Sequence, residues 1–186
     1  MLGLMEGRLV SVGPAGEVLY EYEPSDSRIP VILGVAVAPQ GSPIAAVSGI
    51  DPQRLLLIER EGAEHAPRLA LELGTDFRRE VLLRFTEDGR FLYVEGDDEL
   101  RVLDVRRHRL MTVALPGRVR ALAGGGSLTV VALETRSGSR LVVLRPLRAV
   151  LCEQPLGEAR PFLKMLGGTL IIGLEGYLLR ADIVQG

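Results

Sequence analysis

Apolar residues along this chain fall into short runs of four to seven, separated by polar or glycine-bearing stretches. The pattern is plainest in FTEDGRFLYVEGDDELRVLDVRRHRL, from Phe85 to Leu110. There an apolar run, a glycine turn, a second run, an acidic turn, a third run and a basic turn follow one another. Runs this short predict strands: they are rich in Val, Leu and Ile and bounded by Gly, Pro, Asp or Ser. Gly89 also marks a repeat. It sits between two apolar runs, and the same arrangement recurs at Gly7 (LMEGRLVSV), Gly41 (APQGSPIAAV), Gly126 (GGGSLTVVAL) and Gly168 (LGGTLIIGL), at intervals of 34, 48, 37 and 42 residues.

The text around the anchors repeats as well. After each comes an apolar run (Leu9–Val12, Ile44–Val47, Phe91–Val94, Leu128–Leu133, Leu170–Ile172), then a turn such as GIDPQ or EGDDE. A second run follows, such as LLLIE or LRVLDV. Two further apolar pieces lead to the next anchor, for example LMTVAL and VRALA. This predicts four strands per unit, A to D, with the anchor glycine in the A–B turn. A period near 40 residues is that of a four-stranded propeller blade, about 40–45. Many runs are continuously apolar, as expected of strands covered on both faces. Residues 63–73 admit two readings. Ala, Glu and Leu favour a helix, but Pro67 would have to lie in its first turn. The preferred reading is a strand D, PRLALEL, after an extended loop, with a short insertion helix as the runner-up.

The stretch FTEDGRFLYVEGDDELRVLDV resembles a unit of the WD-repeat and YVTN-type β-propellers. Thr86, Glu87, Asp88 and Gly89 match their S-P-D-G turn loosely, and Leu103-Asp104 stand where Trp-Asp would; Ile58-Glu59 stand there in the second unit. The chain has no Gly-His dipeptide and no tryptophan, so the buried tetrad of well-formed WD repeats is not carried over. The resemblance implies architecture; propellers host enzymes, scaffolds and ligand binders alike.

The expected fold is therefore all-β and β-propeller-like, a single domain of about five four-stranded antiparallel units near 1–30, 31–76, 77–117, 118–158 and 159–186. The first unit has barely a strand A, and the last runs no further than a strand C. Two closures stay open: a small five-bladed ring, or an open or partial ring that belongs to a longer chain or pairs with a second copy through its open blade edges.

Composition narrows the functional classes. The 186 residues are enough for one domain with a substantial core. A net charge of -2 speaks against nucleic acid as partner. No run reaches the roughly 18–20 apolar residues of a membrane span. MLGLMEGRLV has neither a basic start nor a small-residue cleavage site, so no secretory signal is expected and a cytoplasmic location is favoured over a periplasmic one. Cys152 is the sole cysteine, which precludes an internal disulfide. All but one of the 22 basic residues are arginine, a bias that a GC-rich bacterial genome produces.

The candidate chemistry is thin. The acidic turn Glu95, Asp97, Asp98, Glu99 lacks the D-x-D-x-D-G spacing of a calcium loop and reads as an exposed turn. Arg106–Arg109 reads as a solvated C–D turn. His65 is expected in the long loop and His108 in an exposed turn. With the lone Cys152, expected buried on a strand D, they are too few and too scattered for a zinc centre. Ser25, Ser27, Ser42, Ser127, Ser137 and Ser139 read as turn residues outside any G-x-S-x-G elbow. Gly124–Gly126 precede a strand without the P-loop lysine. The sequence thus assigns no catalytic, cofactor or metal residue. It points to a non-catalytic binding or scaffolding module for a protein partner. The rivals are a YVTN-like hydrolase or lactonase and a structural fragment of a larger propeller protein.

Overall fold

The structure is a computed structural model that describes residues 2–3, 7–13, 15–23, 26–62, 64–125, 128–145, 150–157, 161–166 and 169–182. Among these are eighteen strands and no helix. They form five antiparallel sheets, each a meander in chain order. Sheet I holds β1 (Leu2–Gly3), β2 (Leu9–Val12) and β3 (Val18–Tyr22). Sheet II holds β4 (Ile29–Val37), β5 (Ile44–Ile50), β6 (Arg54–Glu61) and β7 (Glu64–Glu72). Sheet III holds β8 (Leu83–Phe85), β9 (Phe91–Glu95), β10 (Glu99–Asp104) and β11 (Arg109–Ala114). Sheet IV holds β12 (Arg118–Gly125), β13 (Leu128–Thr135), β14 (Gly138–Leu144) and β15 (Val150–Gly157). Sheet V holds β16 (Phe162–Leu166), β17 (Thr169–Leu174) and β18 (Tyr177–Asp182). These are the antiparallel blades that the repeat predicts. The chain divides into two compact units, Met1–Leu83 and Arg84–Gly186.

Gly7, Gly41 and Gly89 lie between the first two strands of their sheets. They have φ of 82°, 85° and 67°, a region that glycine enters freely. Gly126 and Gly168 lie outside the described residues. The second and third strands of sheets II and III are almost wholly buried. That burial explains why these strands read as unbroken apolar runs.

Two expectations need correction. Residues 64–72 form β7, with no extended loop before it: the chain turns at Gly62 and starts the strand at once. Pro67 is accommodated because β7 is an outer strand and its pairing with β6 shifts register at Leu57/Ile58. The extra length of the 48-residue interval lies after the strand, in residues 73–82. Gln53, only 2% exposed, organises that segment. Its carbonyl accepts from the Leu73 amide at 3.0 Å, and its side chain exchanges bonds of 3.0 and 3.1 Å with the Phe77 carbonyl and amide. The second correction is His65, which lies on β7 opposite Arg60, its ring 4.6 Å from that of Tyr20.

Candidate functional site

The stretch from Phe85 to Leu110 builds two side-chain-closed turns in the second unit. Thr86, almost fully buried, closes the A–B turn: its amide donates to the Phe91 carbonyl at 2.9 Å, and its hydroxyl oxygen accepts from the Phe91 amide at 3.0 Å. The same hydroxyl donates to Asp88 at 2.6 Å. Burial acts to raise the Asp88 pKa, but the bonds from Thr86 and from the Arg90 amide outweigh it and hold the carboxyl below its ordinary range. Asp104, 2% exposed, closes the C–D turn by accepting from the amides of Arg106 and Arg107 at 3.2 and 3.1 Å. The residue at the Trp-Asp position is therefore used as a turn cap. Arg106–Arg109 are exposed around it, with His108 at φ 52°.

The four carboxylates of the acidic turn do not gather into one group. Asp97 and Asp98 are exposed at the tip of the turn. Glu95, expected to be exposed, is 4% exposed and has the Arg118 Nε 3.5 Å from its Oε1; Glu99 turns back to accept from Arg101 at 2.6 Å. Glu95 and Glu99 are thus directed to separate partners. No group of three or more His, Cys, Asp or Glu able to hold a metal occurs among the described residues. Cys152, expected buried, is exposed on β15 opposite Val143. Ser139 is a buried residue of β14 instead of a turn residue. Ser27 donates to the Ile29 carbonyl, Ser42 accepts from the Arg60 amide and Ser137 pairs with Thr135, so each has a local partner. Ser25 and Ser127 lie outside the described residues. Gly124 packs within van der Waals reach of Thr129, Tyr93 and Thr86, a close approach of sheets III and IV.

At that approach the Thr129 hydroxyl donates to Tyr93, whose ring is 1% exposed. Burial, with a smaller push from Asp88, drives the Tyr93 pKa up to about 12 against the bond from Thr129. Burial, with the nearby Tyr22, also raises Tyr20 to about 12. The unfolded chain ionises a tyrosine near 10, so the folded state binds the proton longer. The stability tied to Tyr93 is whole below pH 10 and drains away as pH rises from 10 toward 12. Titration of phenolate absorbance in the folded protein should show a late step, and Tyr93→Phe should reduce it. A single wave near the free-phenol value would contradict this burial.

A groove of about 730 Å³ lies at the B–C turn end of sheets III and IV in the second unit. Asp98 from the β9–β10 turn forms one wall. The β11–β12 connection, Leu115 to Arg118, forms the floor, and Glu134–Ser137 with Arg140 form the other wall. Gly117 is required in the floor, since a Cβ there would fall on the Glu134 carbonyl oxygen. Arg120 holds the Glu134 carboxylate with its Nε at 2.7 Å and with Nη2, and Arg118 faces buried Glu95. Arg136 stands exposed at the lip, and Arg140 reaches the Ser137 hydroxyl at 3.3 Å and Glu153 at 3.4 Å. These arginines give no signal in the sequence, because they come from separate strands and converge only where two sheets meet. The first unit has a smaller pocket of about 250 Å³ beside Tyr22, Arg54 and Leu69. Both of its lining cations are engaged: Arg54 by Asp26 at 3.1 Å and Glu72 at 3.6 Å, and Arg68 by Glu61.

Comparison with known proteins agrees with this architecture. A protein of Treponema pallidum (strain Nichols), described as uncharacterized, is 25% identical over 119 residues, covering 64% of this chain and 32% of that protein. This chain therefore spans about a third of the length of the curated relative it matches. The crystal structure of a mitotic checkpoint complex contains a chain with the same fold, at a TM-score of 0.59 and 15% identity over 80% of this chain and 46% of that one. A family model described as beta-propeller protein matches residues 1–185, and the chain belongs to that family.

Proposed function

We propose that this chain is a non-catalytic propeller module that binds a protein partner, and that the groove between sheets III and IV receives a partner segment carrying carboxylates. The observation that carries the reading is the groove itself. It joins an apolar floor, Leu115 and Pro116, to three arginines, Arg118, Arg136 and Arg140. Arginine is enriched at protein interfaces because its fork donates in pairs to carboxylates. Rigid sheets that present turns at their ends are a scaffold for recognition without a catalytic constellation. The groove's own acids do not oppose such a ligand equally: Glu134 is already held by Arg120, which leaves Asp98 as the exposed acid of the wall.

A panel of fluorescent peptides of matched length, acidic, neutral and basic, tests this by polarisation. Acidic peptides with apolar residues should bind best and weaken as salt rises, since exposed charges are screened. The double substitution Arg136→Glu/Arg140→Glu should reduce binding of acidic peptides about tenfold or more, as expected when two charge-assisted contacts are lost. Equal binding of all three classes, or acidic binding that the double variant leaves unchanged, would refute the reading.

A further inference from the structure

Ten large hydrophobic side chains are exposed among the described residues, and eight of them belong to the two three-stranded sheets. Val12, Val18 and Leu19 lie on sheet I; Phe162, Leu166, Tyr177, Leu178 and Leu179 lie on sheet V, with Leu178 74% exposed. Patches of this kind mark surfaces of interaction.

The packing within each unit shows what such faces fit. In the second unit, sheet IV sets Thr129 against Tyr93 of sheet III. From the alternate positions of the same strand it sets Val130 and Ala132 against Leu163, Met165, Leu170 and Ile172 of sheet V. Sheet IV thus has one face for the sheet before it and one for the sheet after it. Sheet V uses its first face on sheet IV. Its second face, by strand alternation, carries Phe162, Lys164 and Leu166 on β16 and Leu178 and Arg180 on β18. In the first unit, sheet I uses its second face: Leu9, Tyr20 and Tyr22 pack with Ile44 and Ile58 of sheet II. Its first face carries Val10, Val12, Leu19 and Glu21. The unused face of sheet V is of the kind that accepts a following sheet, and the unused face of sheet I is of the kind that a preceding sheet accepts.

Charge agrees with this match. The register aligns Phe162, Gly173 and Leu178 in one row and Lys164, Ile171 and Arg180 in the next, with Asp182 beyond. Two cations against one carboxylate leave that face basic by one. On sheet I, Val10 pairs with Glu21, and Glu21 and Glu23 stand against Arg8 alone, which leaves it acidic by one.

We propose that sheet V of one copy docks face to face on sheet I of a second copy, head to tail, with Leu178 and Phe162 against Leu19 and Val12 and with Lys164 and Arg180 toward Glu21 and Glu23. The contact is heterologous, so each copy uses two different surfaces. It is independent of the groove between sheets III and IV, and peptide binding there neither supports nor weakens it.

Sedimentation velocity over a concentration series tests the proposal with three forms of the full chain: wild type, Leu178→Arg and Leu19→Arg. Both substituted side chains are exposed, and circular dichroism should confirm unchanged folding. The wild type should gain mass with concentration, and each variant alone should remain monomeric, its association weakened about tenfold or more by a charge set on an apolar contact. An equimolar mixture of the two variants should form a one-to-one dimer. The intact sheet V of the Leu19→Arg chain meets the intact sheet I of the Leu178→Arg chain there. Three results would overturn it: a wild type that stays monomeric throughout, a variant that still associates like the wild type, or a mixture that stays monomeric.

Discussion

Leu103→Ala is expected to destabilise the second unit by about 3 kcal/mol, inside the range for a buried leucine reduced to alanine. Leu103 is fully buried on β10, opposite Leu92 on β9 and Leu110 on β11. Its side chain fills the place that a tryptophan would take in the WD-repeat pattern. The removed carbons lose their transfer energy, and the surrounding strands, locked by their ladders, cannot collapse into the void. Leu178→Ala supplies the contrast: the side chain is largely exposed, and its loss should cost less than about 0.5 kcal/mol. Urea unfolding followed by hydrogen exchange of the sheet III amides would measure both. Equal costs for the two variants would show that position 103 is not a core position.

Gly34→Ala is expected to destabilise the first unit by about 3 kcal/mol, at the upper end of the range for overpacking. Gly34 lies on β4 opposite Val47. The segment after β7 crosses it there: the Val81 amide donates to the Leu33 carbonyl at 2.8 Å, and the Val81 carbonyl lies over Gly34. A methyl group at 34 would fall on that carbonyl oxygen, which is backbone and cannot rotate away. Relief requires the 73–82 segment to lift, breaking the Val81 bond. The amide of Val81, a residue only 2% exposed, should then lose its protection from exchange. Retained protection together with unchanged stability would contradict the close approach.

Of these two positions the sequence leaves Gly34 mute. Gly34 sits in a run of apolar residues with no turn signal, and only the crossing of a segment more than forty residues later gives it a role. Leu103 is marked in the sequence at the place of the repeat's tryptophan, and the register with β9 and β11 adds that it lies at the centre of a sheet. The groove arginines are mute as well. Arg118 begins a strand while Arg136 lies in a turn, and they line one groove only because sheets III and IV meet.

Glu95 and Cys152 show the reverse error. Glu95 lies in an acidic turn, which by composition means solvent, yet the strand β9 extends through it and delivers it to Arg118. Cys152 lies on a strand, which by composition means burial, yet β15 is an outer strand with water beside it. Local chemistry predicts the average environment of a residue type. The position of its strand within the sheet decides the actual one.

The sequence by itself determined the blades. Short apolar runs set the strands, glycines with positive φ set the A–B turns, and Thr86, Asp88 and Asp104 close turns through bonds to residues at most five positions away. Such interactions depend on near neighbours in the chain, and a spacing of residues can encode them. The tertiary structure alone decided where Gln53 anchors the 73–82 segment, how Tyr93 meets Thr129, and which arginines line the groove. These features join residues far apart along the chain, and their energies come from desolvation and close packing between sheets, which no local pattern records.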